Sequence, residues 1–345
     1  MNDKCTILAK NASITNFAGK SLAATLYDLP VTIALTGSLG AGKTTFLQGC
    51  ASALGINDNL TSPTYPLEQR YAATRPMRTE FLHLDLYRLT PQQSKELLCA
   101  SDDFPGIRCI EWSERIGLEQ LLRSGSVIHV DLQEGAQIEE RTVTVTFHDA
   151  KLLTDEQIAQ WRRDAMLPDH IIDHCEAVAS FSGQLAEKLI SRGHIVRKKL
   201  LTDAARIHDL LRFLDFHHGG HPDGVRHSPA QERHWDSFRT RFPGMRHEAA
   251  CAQLLRDHGC PALALVVEPH GLHSPPSSRH TIEQKILFYA DKRVMLDMVV
   301  TLEERFADFA KRYGNGTMSD EAKRWMEETR DVERELFPEG IPLSS

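Results

Sequence analysis

The feature that most constrains this chain is the run GSLGAGKT at residues 37–44, which contains three glycines, a lysine and a threonine. The apolar, β-branched run before it, VTIALT (31–36), predicts a buried strand, and TTFLQGCASALG after it has the apolar spacing of a helix. A strand, a loop of the form GxxxxGK[ST] and a helix together make a phosphate-binding P-loop. A chance glycine-rich turn is the alternative, but it would not require the complete pattern in this context.

The P-loop pattern predicts which groups hold a nucleoside triphosphate. The glycines let the backbone curl so that N–H groups face phosphate oxygens, and the helix adds the positive end of its dipole. We expect the Lys43 ammonium at the β- and γ-phosphates and the Thr44 hydroxyl at Mg²⁺. The predicted nucleotide-binding residues of the loop are Gly37, Ser38, Leu39, Gly40, Ala41, Gly42, Lys43, Thr44 and Thr45.

Two acidic residues follow at predicted strand positions. Asp85 lies in the alternating run FLHLDLYRL (81–89), and Glu111 lies in CIEWSER (109–115) with Trp112 beside it. A P-loop enzyme needs an acidic residue near Mg²⁺ and a group that orients the attacking water. Asp85 and Glu111 are therefore candidates for these roles, although either one alone could be a surface carboxylate.

Four motifs in this order, GSLGAGKTTF, TSPTY, HLDLYRL and EWSER, resemble the TsaE family over about residues 5–148. That family comprises small P-loop ATPases of the bacterial system that attaches threonylcarbamoyl to the adenosine beside the tRNA anticodon. The resemblance implies ATP with Mg²⁺ as cofactor and Lys43, Asp85 and Glu111 as catalytic residues. Asp85 would be required for hydrolysis, and Glu111 would be a further Mg²⁺ ligand beside Thr44.

The same resemblance extends to the surroundings of the nucleotide and to partners. It implies that Trp112 lies near the nucleotide and that Thr61–Tyr65 forms a switch-like loop. The net charge is −7, with no basic block in either half, so direct tRNA binding by phosphate neutralisation is not indicated. In the family a TsaB–TsaD pair holds the tRNA, so this chain would reach tRNA indirectly through a similar complex.

Composition also bears on location. We find no apolar run of about 18 residues, which predicts no membrane span. The first residues lack the long apolar stretch of a signal peptide, and the seven cysteines are scattered without a Cys-x-x-Cys pair. A reducing, cytoplasmic location is therefore expected.

The pattern of apolar residues changes near residue 150. RTVTVTFHD (141–149) predicts the last strand of an α/β P-loop domain over residues 1–150, with a mostly parallel sheet flanked by helices. Residues 151–345 predict an all-α domain, since apolar residues recur at steps of three and four. Thr154 and Gln157 form a capping box that predicts a helix from Asp155, and the polar segment 217–231 predicts a long loop.

Histidines mark the second half of the chain. Fourteen of the seventeen lie between residues 170 and 280. Imidazole nitrogens and carboxylates bind Fe, Mn, Zn or Ni, and a pair of metals is a recurrent device for hydrolysing phosphate esters. Singly, each histidine could equally be a surface or core residue. The candidate ligands, expected on helices, are His174, His208, Asp209, His247, His270 and Asp291.

This order of residues resembles the HD superfamily of metal-dependent phosphohydrolases over about residues 165–315. The flanking runs LPDHIIDHCEAVA and RHEAACAQLLRDHG carry the same resemblance. It implies an HD-type domain over 151–345 that binds one or two transition metals and hydrolyses a nucleotide-like phosphate ester. His174, His208, Asp209 and Asp291 match the defining ligands of the superfamily, and His247 with His270 would complete a second metal position.

Several neighbours of these ligands are weaker candidates. His273 could compete with His270 as a ligand, and Lys292 and Arg293 could bind a substrate phosphate. His217 and His218 could line the mouth of the site.

Two other readings stay open. A small-molecule P-loop kinase would need an acceptor pocket and an arginine-rich lid, whereas residues 66–80 contain only Arg70, Arg75 and Arg78. A nucleotide-gated binding protein would carry the HD fold as a catalytically silent scaffold. The presence of all six candidate ligands argues against that reading, and metal content distinguishes the two.

Overall fold

The computed structural model describes residues 3–75, 78–216, 227–313 and 317–340. The chain divides into two units, residues 1–150 with 186–199, and residues 151–185 with 200–345. The predicted domain boundary at residue 150 stays a prediction, and residues 186–199 group with the first unit. Within the described residues, no helix combines the length and the apolar composition that crossing a bilayer requires.

A seven-stranded mixed sheet forms the first unit. Its strands are β1 (Asp3–Ala9), β2 (Val31–Thr36), β3 (Glu68–Ala73), β4 (Thr79–Asp85), β5 (Ile107–Glu111), β6 (Val127–Glu134) and β7 (Arg141–Phe147). They lie in the order β1-β7-β6-β2-β5-β4-β3. The four adjacent strands β6, β2, β5 and β4 are parallel, while β1, β7 and β3 pair antiparallel. This sheet fits the expected P-loop domain.

Helices flank the sheet, and the central strand β2 shows why. Four helices belong to this unit: α1 (Ala12–Ala23), α2 (Lys43–Ala53), α3 (Pro91–Cys99) and α4 (Leu118–Arg123). Val31, Ile33 and Leu35 of β2 lie in one apolar core with Phe46 of α2, whereas Ala34 lies in a second core. A parallel strand covered on both faces reads as a continuous apolar run, which is the pattern of VTIALT.

Two glycines bring α1 and α2 into backbone contact. A Cβ on Gly19 would lie 1.9 Å from the carbonyl oxygen of Phe46, and a Cβ on Gly49 would lie 1.8 Å from that of Asn16. No side chain fits at either position without separating the helices. Since α2 begins at Lys43, this contact holds the helix that follows the glycine loop.

Replacing Gly49 by alanine tests this contact. We expect Gly49→Ala to lower the free energy of unfolding by about 1–3 kcal/mol, because the added methyl group must displace main-chain atoms. Alanine is otherwise the better helix former, so destabilisation would identify the close packing as its cause. Urea unfolding followed by circular dichroism measures the change. The exposed Ser52 of the same helix gives the control Ser52→Ala, and equal midpoints for the two variants would contradict the prediction.

The C-terminal part is helical, apart from a short hairpin that the all-α prediction did not include. Its helices are α5 (Asp155–Asp164), α6 (Asp169–Ser191), α7 (Lys198–Ile207), α8 (Pro229–Arg241), α9 (His247–Asp257), α10 (Pro261–Val267), α11 (Ile282–Asp291), α12 (Leu302–Tyr313) and α13 (Asp320–Leu336). The hairpin pairs β8 (Val294–Met295) with β9 (Met298–Val299). Helix α5 begins at Asp155 behind the Thr154–Gln157 capping box, which confirms that prediction.

The predicted loop 217–231 ends earlier than expected. Residues 229–231 already belong to α8, which Ser228 caps with Gln231. The serine and the glutamine three residues later make the same capping box that marks α5. Residues 217–226, with His217 and His218, lie outside the described residues.

Candidate functional sites

The carboxyl ends of three parallel strands meet at one edge of the sheet. Asp85, the last residue of β4, pairs in register with Glu111, the last residue of β5. Leu35, near the end of β2, lies opposite Glu111 on the other side. The glycine loop leaves β2 here and α2 begins at Lys43. Ligands of open α/β sheets bind at this edge, so the topology brings the loop and both predicted carboxylates together.

Glycine is required within the loop itself. Gly37 has φ 141° and Gly42 has φ 97°, in the region that favours glycine. A Cβ on Gly37 would also lie 2.4 Å from the carbonyl oxygen of Leu132. The loop therefore depends on glycine both for its backbone conformation and for its approach to β6.

Lys43 lies folded over the loop. Its Nζ donates to the carbonyl oxygens of Gly37 at 2.7 Å and Ser38 at 2.9 Å. The same ammonium lies 3.7 Å from the centroid of the Trp112 ring, a cation–π distance. The lysine thus stands at the end of the loop where the pattern places the β- and γ-phosphates.

The charge of Lys43 is set by competing influences. Burial lowers the pKa of this lysine, while the carboxylates of Glu111, Glu114 and Asp85 act to raise it. Burial in turn raises the pKa of Glu114, against the effect of Lys43. The ammonium therefore lies in a partly desolvated, acidic environment, where electrostatic interactions are stronger than in water.

Thr44 and Glu111 form the predicted cation-binding pair. The Thr44 hydroxyl donates to Glu111 Oε1 at 2.9 Å and Oε2 at 3.1 Å. His83 Nε2 lies 3.0 Å from Glu111 Oε1, and both side chains are buried. A hydroxyl and a carboxylate are oxygen ligands suited to Mg²⁺. His83 was not predicted as a site residue, and its only signal was its place two residues before Asp85.

Asp85 faces a different partner, the TSPTY segment. Its Oδ2 accepts hydrogen bonds from the hydroxyls of Ser62 at 2.5 Å and Thr64 at 2.8 Å, and its Oδ1 accepts one from the Tyr87 N–H at 2.9 Å. The carboxylate therefore fixes residues 61–65 at the sheet edge. This is the segment for which a switch-like role was expected.

Trp112 closes the lysine end of the loop. Its backbone has φ 61°, a left-handed conformation, directly after β5. The indole packs against the ring of Tyr87, with 4.8 Å between centroids, as well as on Lys43. This position is on the Lys43 side of the loop, where the P-loop pattern predicts the terminal phosphates.

A cavity of about 590 Å³ opens on the other side of the loop. Arg141 of β7 anchors its wall by donating to the carbonyl oxygens of Ala41 and Gly40, each at 3.2 Å. The residues that line it include Asn11, Ser13, Thr15, Gly42, Thr45, Ile138 and Arg141. Gly42 and Thr45 belong to the loop motif. Folding brings the other residues to the loop from both ends of the unit, so no local motif contains them.

The second candidate site gathers all six predicted ligands. His174, His247 and Asp291 lie in α-helices as expected and His270 lies in a 3₁₀ turn, whereas His208 and Asp209 lie outside the helices. His174 lies within α6, and the other five lie at or just beyond the ends of elements. His208 and Asp209 follow the end of α7, and His247 is the first residue of α9. His270 is the last residue of a 3₁₀ turn at Glu268–His270, and Asp291 is the last residue of α11. His208 and Asp209 therefore project from the turn that follows α7 rather than from a helix.

Asp209 lies between the two halves of this cluster. Its Oδ1 lies 2.9 Å from His247 Nε2 and 3.6 Å from His270 Nε2, and its Oδ2 lies 3.8 Å from His208 Nε2. On the other side, Asp291 Oδ1 lies 3.0 Å from His174 Nε2. Candidate ligand atoms fall into overlapping groups, among them His174–His208–Asp209, His208–His270–Asp291 and Asp209–His247–His270.

The four imidazoles are oriented alike. Each Nδ1 has an oxygen partner: Leu296 O at 2.9 Å for His174, Ala205 O at 2.7 Å for His208, Val267 O at 2.6 Å for His270, and Asp215 Oδ2 at 2.6 Å for His247. Such partners hold the proton on Nδ1 and leave Nε2 as the free ligand atom. The Nε2 of His208 is buried and has no hydrogen-bond partner among the described residues. The residues therefore fit a metal site.

Charges within the cluster agree with this. Burial alone would raise the pKa of Asp209, but His208, Arg212 and His247 hold it well below its ordinary value. Burial would also raise the pKa of Asp291, yet Lys292 and His174 lower it well below its ordinary value. Both carboxylates are therefore ionised and suited to a cation.

The weaker candidates separate in the structure. His273 is exposed and packs on Trp325 at the wall of a cavity of about 250 Å³ that opens on the cluster. Lys292 lines the same cavity and donates to the His270 carbonyl at 2.9 Å. Arg293 is not among the residues that line this cavity. Its guanidinium instead donates to Val300 O at 2.5 Å and to the Tyr289 hydroxyl.

Comparison with known proteins finds similarity in the first unit. The family described as "Threonylcarbamoyl adenosine biosynthesis protein TsaE" matches residues 9–143. Over 89 residues the chain is 44% identical to the tRNA threonylcarbamoyladenosine biosynthesis protein TsaE of a Nostoc species, covering 24% of this chain and 53% of that protein. Its Synechocystis counterpart is 40% identical over 103 residues, or 28% and 63% of the two chains.

A third relative is matched over more of its length. The TsaE protein of Haemophilus influenzae is 34% identical over 125 residues, which cover 34% of this chain and 77% of that protein. The chain spans about half of the Nostoc protein and under two thirds of the Synechocystis protein. The family match ends before the histidine cluster.

Proposed function

Since the chain belongs to the TsaE family through residues 9–143, we propose that its first unit binds and hydrolyses ATP in support of tRNA threonylcarbamoyladenosine biosynthesis. The observation that carries this proposal is the contact of the Thr44 hydroxyl with the Glu111 carboxylate, next to Lys43 at the carboxyl edge of the sheet. A P-loop enzyme needs these three groups around the terminal phosphates and Mg²⁺.

Each group has a separate role in this proposal. Lys43 binds the β- and γ-phosphate oxygens, and Thr44 with Glu111 holds Mg²⁺, which when bound neutralises charge developing on the phosphates. Asp85 fixes residues 61–65 through Ser62 and Thr64. That segment then orients the attacking water when the nucleotide is in place.

The sugar and base of ATP extend to the opposite end of the loop. Trp112 covers the lysine end, so the nucleoside half lies toward Thr45 and the cavity that Asn11, Ile138 and Arg141 help to line. In this proposal the cavity receives the sugar and base, and the phosphates lie along the loop.

The partner in this proposal is a TsaB–TsaD-like complex, which presents tRNA. The test measures phosphate release from ATP by the full chain, with and without that complex and with and without Mg²⁺. We expect Mg²⁺-dependent release that increases when the complex is added, because partners complete the positioning of water in such ATPases. Absence of ATP binding and of phosphate release under all four conditions would contradict the proposal.

For the second site we propose an HD-type metal-dependent phosphohydrolase within residues 151–345, acting on a nucleotide-like phosphate ester. The observation that supports it is the convergence of four imidazole Nε2 atoms on Asp209 and Asp291, with every Nδ1 bonded to an oxygen. One or two ions of Fe, Mn, Zn or Ni would be held there by these four histidines together with Asp209 and Asp291. Such ions, when bound, supply an activated water and offset phosphate charge.

Residues around the cluster do the remaining work. Arg212 NH1 lies 3.2 Å from His247 Nδ1, and its Nε lies 4.0 Å from Asp209, so its charge reaches the cavity beside the ligands. A guanidinium at this place binds an oxygen of the substrate phosphate. Lys292 braces the site by bonding both Asp291 and the His270 carbonyl.

Metal content decides between an enzyme and a silent scaffold. The full chain, purified anaerobically, is analysed for Fe, Mn, Zn and Ni, and phosphate release is measured from a panel of phosphate esters before and after chelation. We expect one or two ions per chain and release that is lost on chelation and restored by metal. A chain without metal, whose thermal unfolding no added ion shifts, would support the scaffold.

A further inference from the structure

The cavity that opens on the histidine cluster has an aromatic wall opposite the ligands. Phe306 and Phe309 of α12 and Trp325 of α13 belong to its lining. The centroids of the Phe309 and Trp325 rings lie 5.8 Å apart with an interplanar angle of 85°, and those of His273 and Trp325 lie 5.1 Å apart at 87°. Edge-to-face contacts of this kind hold the indole in one orientation. The wall is therefore a fixed aromatic surface.

Among the charged side chains of the lining, the basic ones outnumber the acidic ones. Its basic side chains are Arg212, Arg246, Lys292, Arg305 and Arg312, against three acidic ones, Asp209, Glu248 and Asp291. Two of the three carboxylates are candidate metal ligands, so bound metal would leave Glu248 as the remaining acid. Arg305 and Arg312 both lie near Asp308, at 3.8 and 2.8 Å, and are held on the α12 side of the cavity. A cavity with this charge selects an anion.

The size of the cavity limits what the anion is. Its volume of about 250 Å³ lies just below the range of about 300–1,000 Å³ typical of ligand pockets. A molecule with one phosphate, one sugar and one ring system is of this size. A dinucleotide, with two of each, would leave half of its surface outside.

We propose that the substrate of this site is a phosphate monoester whose alcohol carries a flat aromatic ring, of the size of a nucleoside monophosphate, with the ring against Phe309 and Trp325. This inference rests on the proposed phosphohydrolase and names its substrate class. In the reaction, a water oxygen bonds to phosphorus while the bond from phosphorus to the ester oxygen breaks. The leaving alkoxide takes up the proton that the attacking water releases, and the products are inorganic phosphate and the ring-bearing alcohol.

The test compares two monoesters that differ only in the ring. Adenosine monophosphate and ribose 5-phosphate are offered to the metal-loaded full chain, and the ratio of their kcat/KM values is measured. We expect Trp325→Ala to lower this ratio at least about fivefold, since stacking of a base on an aromatic side chain is of that order. Trp325→Phe should restore most of the ratio. Trp161→Ala is the matched control, because Trp161 contacts His258 and lies outside the described lining.

A second measurement is independent of the metal. Calorimetry of adenosine binding to the metal-depleted chain should show weaker binding for Trp325→Ala than for Trp161→Ala. Equal adenosine affinities of the two variants, together with an unchanged kcat/KM ratio, would overturn the aromatic subsite. In that case, release of phosphate from ribose 5-phosphate would still support the phosphohydrolase. Absence of release from every ester would instead overturn the phosphohydrolase, and adenosine calorimetry would still decide whether the ring binds at Trp325.

Discussion

Lys43→Ala is expected to reduce phosphate release from ATP at least about 100-fold, since losing one preorganised positive group costs that much in comparable sites. The lysine donates to Gly37 and Ser38 within the loop and is the ammonium closest to the proposed terminal phosphates. Its removal should weaken binding of inorganic triphosphate as well as ATP. Calorimetry with both ligands and a phosphate-release assay measure the two effects.

The control for this variant is Lys20→Ala, which removes an exposed lysine of α1. Circular dichroism shows whether either variant loses its fold. Because Lys43 donates to two loop carbonyls and lies on the Trp112 ring, the fold of the sheet does not depend on it and should persist. Retention of ATP hydrolysis within about threefold of the unchanged chain would contradict the proposed role, since an electrostatic contribution of this kind exceeds that.

Asp209→Asn is expected to remove metal from both positions of the second site. The carboxylate lies within reach of His208 on one side and of His247 and His270 on the other. Asparagine has the same shape but no charge, so the cluster would lose one of the two carboxylates among its six candidate ligands. We expect metal content to fall from one or two ions per chain to nearly none, and phosphate release to fall at least about 100-fold.

A stability measurement keeps this prediction independent of activity. A ligand that binds only the folded state raises the unfolding temperature, so added metal should stabilise the unchanged chain and leave Asp209→Asn unaffected. Asp173→Asn, an exposed change one residue before His174, is the control and should keep the metal-induced shift. An equal shift in Asp209→Asn would show that Asp209 is not a ligand.

The sequence predicts those parts of the molecule whose structure is determined by residues close together in the chain. The strand–loop–helix at residues 31–54 and the capping box before α5 are of this kind. The glycines and the lysine of the phosphate loop lie within eight consecutive residues, so the pattern is visible in the sequence. The sequence also predicted that six distant ligand residues share one chemistry, because their order along the chain resembles that of the HD superfamily.

Other features depend on contacts that no local pattern contains. Arg141 reaches Gly40 and Ala41 only because β7 and the glycine loop meet in the folded sheet. His83 reads as one more polar residue of a strand until β5 brings Glu111 beside it. Asp215 has no motif at all, and only the approach of α9 shows that it orients His247. The end of α7 was also predicted wrongly: the helix ends at Ile207, before His208, and apolar periodicity does not show where a helix gives way to a turn.

The four imidazoles of the second site differ in their tolerance of mutation. Three take their orientation from main-chain carbonyls, at Ala205, Val267 and Leu296, and every amino acid supplies that acceptor. Substitutions there can accumulate without releasing a ring, provided that the backbone keeps its course. His247 instead depends on the side chain of Asp215, so a substitution of that one residue, which is not a proposed ligand, would release the orientation of the His247 ring. Among the four imidazoles, His247 is therefore the one whose orientation a single substitution outside the proposed ligand set removes.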